Sequence, residues 1–115
     1  MLEGLAFVIL AVRDVDLAAA FYRETLGLPM TGRFDGFAFF DTGEAKLTLS
    51  SELGSGSSDS QNHECAFAVS SVERAYAALR NQIEFLSEPR PVNDRNWAVN
   101  FRDPDGHLLS LYGPQ

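Results

Sequence analysis

Apolar positions follow two periods along this chain, and the order in which those periods alternate occurs twice. Leu5 to Val12 is a continuous apolar run with β-branched members, short enough to be a strand covered on both faces. Val15, Ala18, Ala19 and Tyr22 then fall on one helical stripe. Asp14 or Asp16 serves as its N-cap and Gly27 as its stop, which predicts a helix to about Leu26. Three strands come next, Leu28 to Phe34, Gly36 to Asp41 and Ala45 to Ser50, separated by Asp35-Gly36 and by Thr42-Gly43-Glu44. The first half therefore reads βαβββ.

The second half repeats that order. A strand from about Glu64 to Val69 precedes a helix from about Val72 to Asn81 opened by Ser70 or Ser71, and strands lie near Glu84 to Pro91, Trp97 to Arg102 and Leu108 to Tyr112. Asp103-Pro104-Asp105-Gly106 makes the last hairpin turn. Ala11 to Val15 aligns with Ala68 to Val72, and the segment from Gly43 to Leu49 aligns with Gly106 to Leu111, so the halves form an internal duplication. Between them Glu52 to Asn62, with Gly54-Ser55-Gly56-Ser57-Ser58, has the composition of a flexible linker. The expected organisation is one domain of two modules, residues 1–52 and 63–115, joined by residues 53–62.

At 115 residues the chain suffices for one domain, and two halves of about 55 residues would have to share a core. Apolar residues make up 45% of the chain and charged residues 22%, the balance of a globular protein. No apolar run reaches the ~18 residues of a membrane span, and no positively charged segment precedes the first apolar run, so a cytoplasmic location without membrane association is expected. Sixteen acidic against nine basic residues give a net charge of -7, which repels nucleic acid and favours cationic ligands or simply solubility. The single cysteine, Cys65, lies in an apolar strand and reads as a small core side chain.

The segments Val12-Arg13-Asp14-Val15, Phe21-Tyr22-Arg23-Glu24-Thr25-Leu26-Gly27-Leu28 and Trp97 through His107, the last containing Asp103-Pro104-Asp105-Gly106, resemble the vicinal oxygen chelate superfamily. Glyoxalase I, extradiol dioxygenases, and fosfomycin- and bleomycin-resistance proteins belong to it. The resemblance spans nearly the whole chain. It implies an α+β fold of two tandem βαβββ modules, forming a curved mixed sheet around a cleft, and commonly a homodimer.

Metal-dependent members place His or Glu ligands on the first and last strands of each module. Carrying those positions over lands on Phe7, Thr48, Glu64 and Ser110, of which only Glu64 is a strong ligand. A catalytic transition metal wants about three His, Cys or carboxylate donors. The resemblance therefore points to the metal-free, bleomycin-resistance-like branch, with no cofactor, no metal and no catalytic residue assigned. His63 neighbours Glu64, but strand alternation points the two to opposite faces. His107 comes after the hairpin turn and reads as a surface residue.

Period-two alternation sorts the strands. With Leu47, Leu49, Leu109 and Leu111 under the helices, the cleft side receives Phe7, Ile9, Phe37, Phe39, Thr48 and Ser50 from one module. From the other it receives Glu64, Ala66, Ala98, Asn100, Ser110 and Tyr112. Phe7, Phe37 and Phe39 supply apolar wall, and Thr48, Glu64, Asn100 and Ser110 supply polar anchors, the mixture a small-molecule pocket needs. Glu64, enclosed by phenylalanines, could act as a base or pair with a cationic ligand; otherwise it is an exposed strand end. Trp97 either stacks on a ligand at the cleft rim or anchors the core beside Val99 and Phe101.

Three functions are compatible with this pattern. The first is metal-independent sequestration of an aromatic or cationic small molecule by a homodimer. The second is a metal-dependent lyase, transferase or dioxygenase using Glu64 with His63 or a ligand from a partner subunit. The third is a structural or regulatory module whose concave face is filled.

Overall fold

The structure, a computed structural model, describes residues 6–52 and 64–115. The expected linker at 53–62, and His63 with it, lies outside the described residues. The chain divides into two compact units, Met1–Ser57 and Ser58–Gln115. Each carries a four-stranded mixed sheet with helix on one face, and neither sheet closes on itself, so the fold is α+β with two βαβββ modules.

In the first module, β1 (Phe7–Ala11) leads into α1 (Val15–Ala20) and then β2 (Met30–Phe34), β3 (Phe37–Asp41) and β4 (Lys46–Ser50). The strand order is β1-β4-β3-β2, with β1 parallel to β4 and the other pairs antiparallel. Asp14, not Asp16, is the N-cap; its carboxylate accepts the amides of Asp16 at 2.9 Å and Leu17 at 3.2 Å. The helix expected to run to Leu26 ends as an α-helix at Ala20 and continues as a π-helical turn, Phe21–Thr25, closed by the Leu26 amide donating to the Phe21 carbonyl. Gly27 then takes a φ of 75°, as a stop residue should.

Val15, Ala18, Ala19 and Tyr22 bury the helix face, and the Tyr22 and Phe40 rings lie 5.9 Å apart. Leu10, Ala38, Phe40, Leu47 and Leu49 are buried beneath them. The opposite face begins at exposed Phe7 and Ile9 on β1. The expected alternation therefore holds on β1, whereas on β4 Thr48 and Ser50 are as buried as their leucine neighbours.

In the second module, β5 (Cys65–Ala68) leads into α2 (Val72–Leu79), then β6 (Arg90–Pro91), β7 (Trp97–Arg102) and β8 (Leu108–Gly113), in the order β5-β8-β7-β6. Ser71, not Ser70, caps α2 by accepting the Arg74 amide at 3.2 Å. Ser71 Oγ also donates to the Gln115 carbonyl, while the Val72 and Glu73 amides donate to the Pro114 and Gln115 carbonyls. The Pro114 and Gln115 carbonyls thus satisfy open N-H groups of α2. The strand expected from Glu84 to Pro91 shrinks to Arg90–Pro91 plus an isolated bridge between Phe85 and Phe101. Pro89 and Pro91 lack ladder donors, and Phe85 is used for packing instead: its ring stands 4.9 Å from Tyr76 of α2 and 5.4 Å from Phe101.

Two substitutions test this reading. A Cβ on Gly113, whose φ is 155°, would run into the Val69 carbonyl oxygen, backbone against backbone. Gly113→Ala should therefore lower stability by about 3 kcal/mol in urea unfolding. Asp14→Ala, removing one cap, should cost about 1 kcal/mol by the same measurement.

Candidate functional site

The strand registers bring the open-face residues of each module into rows. In the first module Ile9, Thr48, Phe39 and Gly32 form one row, and Ala11, Ser50, Phe37 and Phe34 the next. The Phe37 and Phe39 rings stack at 6.2 Å with planes 8° apart, and Phe34 meets Phe39 edge-on at 5.9 Å. Gly32 makes this possible. A Cβ there would lie 3.3 Å from the Phe39 ring, so a larger residue would lift the ring off the sheet.

Phe34 is 66% exposed and is the residue that alternation along single strands did not assign to a face. The signal lay in the Asp35-Gly36 turn: a two-residue connection sets Phe34 directly opposite Phe37. Of the expected site residues, Phe37 and Phe39 join this cluster, and Phe7, 52% exposed, shares its face one row away through Lys46. Thr48 does not line the surface. It is buried between Ile9 and Phe39, because its neighbours' longer side chains cover it.

The same register in the second module carries different chemistry. Ala66, Ser110 and Asn100 form one row, and Ala68, Tyr112, Ala98 and Arg90 the next. Arg90 Nη2 donates to Asn100 Oδ1 at 3.0 Å, and Asn100 Nδ2 donates to the Leu109 carbonyl at 3.2 Å. The Tyr112 hydroxyl accepts from Asn96 Nδ2 at 3.1 Å and from Asn93 Nδ2 at 3.5 Å. Ser110 is buried, and its Oγ has no hydrogen-bond partner among the described residues.

Two readings that the sequence left open narrow here. Glu64 stands just before β5 and is exposed, in keeping with the strand-end alternative. Trp97 shares the parity of Val99 and Phe101, the side on which Phe101 meets Phe85 and Tyr76 beneath α2, and not that of Asn100.

The superfamily's metal positions also fail a test of donor chemistry. Phe7 offers no donor, Thr48 is covered, Ser110 offers a neutral hydroxyl, and Glu64 alone is anionic. Among the described residues no group of three His, Cys, Asp or Glu side chains could hold a metal ion. The donor set does not fit a catalytic transition metal.

His107, expected at the surface, is instead a structural partner. Its side chain is 12% exposed, and Nδ1 lies 2.6 Å from Oδ2 of fully covered Asp103. Asp103 Oδ1 also accepts the amides of Asp105 at 2.9 Å and His107 at 2.8 Å, so one carboxylate organises the whole turn. Cys65 is half-buried; burial first, then the charges of Asp103 and Glu64, push its thiol up. A thiol held protonated is a poor nucleophile, in keeping with a packing role.

Comparisons with known proteins agree with the architecture. Residues 4–111 match the Glyoxalase/Bleomycin resistance protein/Dioxygenase superfamily. The uncharacterized protein YraH of Bacillus subtilis (strain 168) is 29% identical over 119 residues, covering 90% of this chain and 92% of its own. The crystal structure of TnmS3, an antibiotic binding protein from Streptomyces sp. CB03234, superposes with a TM-score of 0.82 at 18% identity, over 99% of this chain and 98% of that one. Lactoylglutathione lyase from Agrobacterium tumefaciens does so with a TM-score of 0.74 at 24% identity, over 96% and 92%. At these identities the two structures share the fold with this chain.

The turn and the thiol give measurable consequences. Asp103→Ala, which strands two amides and an imidazole, should cost about 3 kcal/mol in urea unfolding. For Cys65 the raised folded value means that stability is unaffected at pH below the ordinary thiol range of ~8.5 and is lost as pH rises through the folded value. Unfolding free energies of wild type and Cys65→Ala measured from pH 7 to 10.5 should therefore differ by a constant amount at the low end. Toward the high end wild type should decline more steeply.

Proposed function

The chain belongs to the Glyoxalase/Bleomycin resistance protein/Dioxygenase superfamily, and from that premise we propose that it binds a planar aromatic small molecule without a metal ion. The observation that carries this reading is the ring cluster of Phe34, Phe37 and Phe39 laid open on one sheet face. Large apolar side chains concentrated on one face are uncommon in a protein with nothing to bind. Parallel rings such as Phe37 and Phe39 offer a flat platform, on which aromatic stacking adds about 0.5–1.5 kcal/mol per ring pair beyond area burial.

Recognition on this face rests on aromatic contact, and the net charge of -7 favours a ligand that is neutral or cationic. The description of TnmS3 as an antibiotic binding protein supports a small-molecule ligand for the shared fold. The donor set at Phe7, Thr48, Glu64 and Ser110 supports binding over metal-dependent chemistry. A homodimer is part of the proposal, supported by exposed Phe7 and Ile9 on the edge strand β1.

The test is a thermal-shift screen of planar aromatic compounds, neutral and cationic, with calorimetry of hits in the presence and absence of chelator. Planar aromatic compounds should raise the melting temperature, and chelator should leave their affinity unchanged. Phe39→Ala should weaken them at least about tenfold, the loss of about 1.4 kcal/mol expected when one stacking ring goes. Binding that disappears with chelator and returns with Zn or Ni, or that ignores Phe39→Ala, would sink the proposal. Light scattering during size-exclusion chromatography should give twice the 12.6 kDa chain mass.

A further inference from the structure

The first module has a second concavity, on the side of its sheet opposite to the phenylalanine cluster. Asp16, Ala19, Ala20 and Arg23 from the helical segment and Met30 and Arg33 from β2 line a cavity of about 220 Å³. Ala19 and Ala20 each stand three or four residues from both Asp16 and Arg23, so the four form one stripe. The two alanines in its middle leave the space, and the charged residues mark its ends.

Both backbone irregularities of this module border that space. The register of β2 against β3 shifts between Met30 and Gly32, a bulge. Because of it Met30, paired with Phe40, and Arg33, paired with Ala38, lie three residues apart and still face the helix together, which regular alternation would forbid. Opposite them the π-helical turn Phe21–Thr25 carries Arg23. Such turns and bulges cost regular hydrogen bonding and recur at functional sites.

The polar groups are arranged unequally. Arg33 is pinned: Nη2 donates to Asp16 Oδ1 at 2.7 Å, and Nη1 donates to the carbonyls of Phe34 and Phe37, the latter at 3.0 Å. Asp16, 84% exposed, compensates that guanidinium. Arg23 meets its sequence neighbour Glu24 at 3.6 Å with both side chains more than half exposed, a contact worth little. The cavity is thus lined by two guanidinium groups and one carboxylate in a protein of net charge -7.

We infer that this cavity is a binding site for a small organic monocarboxylate. The ligand's carboxylate engages the planar fork of Arg23, with Arg33 held behind it, and its short apolar body lies against Ala19, Ala20 and Met30. The volume is below the ~300–1,000 Å³ of pockets for drug-sized ligands, which restricts the occupant to a molecule of a few carbons. This site is separate from the aromatic face and does not depend on it.

Amide and arginine Nε NMR spectra recorded during titration with sodium propionate, with inorganic phosphate and with sodium chloride at matched ionic strength test the assignment. Propionate should give saturable shifts at Ala19, Ala20, Arg23 and Arg33 that chloride does not reproduce. Arg23→Gln should weaken binding at least tenfold, Arg23→Lys should recover part of it, and Ala19→Leu, which fills the cavity, should abolish it. Arg74→Gln in the second module should change nothing, and unchanged melting temperatures would show that each variant folds. Shifts that are linear, that chloride matches, or that survive Arg23→Gln would overturn the site. Saturation by phosphate but not propionate would overturn the carboxylate assignment and the role given to the apolar wall.

Discussion

In each module the first strand pairs in parallel with the last, and both the buried core and the open face depend on that pairing. Parallel neighbours cannot be joined by a hairpin, so the chain must cross a face of the sheet between them. In the first module it leaves β1 at one edge, crosses as α1 and the π-helical turn, and re-enters at β2 on the other edge before returning through β3 and β4. The crossing covers one face only. Leu10, Ala38, Phe40, Leu47 and Leu49 are buried there with Tyr22, and the opposite face is left to side chains that need not form a core.

That division of labour lets the two modules share a framework while carrying different surfaces. Phe39 and Thr48 face each other across β3 and β4 as Asn100 and Ser110 do across β7 and β8. Phe34 and Phe37 stand where the second module has Arg90 and Ala98. The buried helix-side positions stay apolar in both copies, since exchanging one for a polar group would bury an unpaired donor or acceptor. On the open side that constraint acts only where neighbours cover a residue, as at Thr48 and Ser110, and the copies have diverged there into a ring platform and a donor-rich patch. The buried Asp103, by contrast, stabilises a turn: its charge is tolerated because an imidazole and two amides surround it.

Much of this was legible in the sequence. Period-two alternation put Phe37 and Phe39 on the face opposite Leu47 and Leu49, and the duplicated order of elements led to the α+β fold of two βαβββ modules. The sequence also showed that Phe7, Thr48, Glu64 and Ser110 are a poor donor set, because side-chain chemistry does not depend on conformation. The places where expectation and structure part company are those where a residue's surroundings come from other strands. Thr48 has the right parity for the open face, yet Ile9 and Phe39 cover it.

Local rules and composition determined the order of helices and strands, the Glu84 to Pro91 segment and the end of the first helix excepted, and which residues could not ligate a metal. Those properties reside in a residue and its near neighbours in the chain. Tertiary structure alone decided that the Phe39 ring closes over Gly32, that His107 is tied to a covered Asp103, and that a bulge and a π-helical turn leave a cavity between α1 and β2. Each of these turns on cross-strand register or on a break in regular hydrogen bonding. Both are set by how whole elements pack, and a shift of one residue reverses the face on which every later side chain appears.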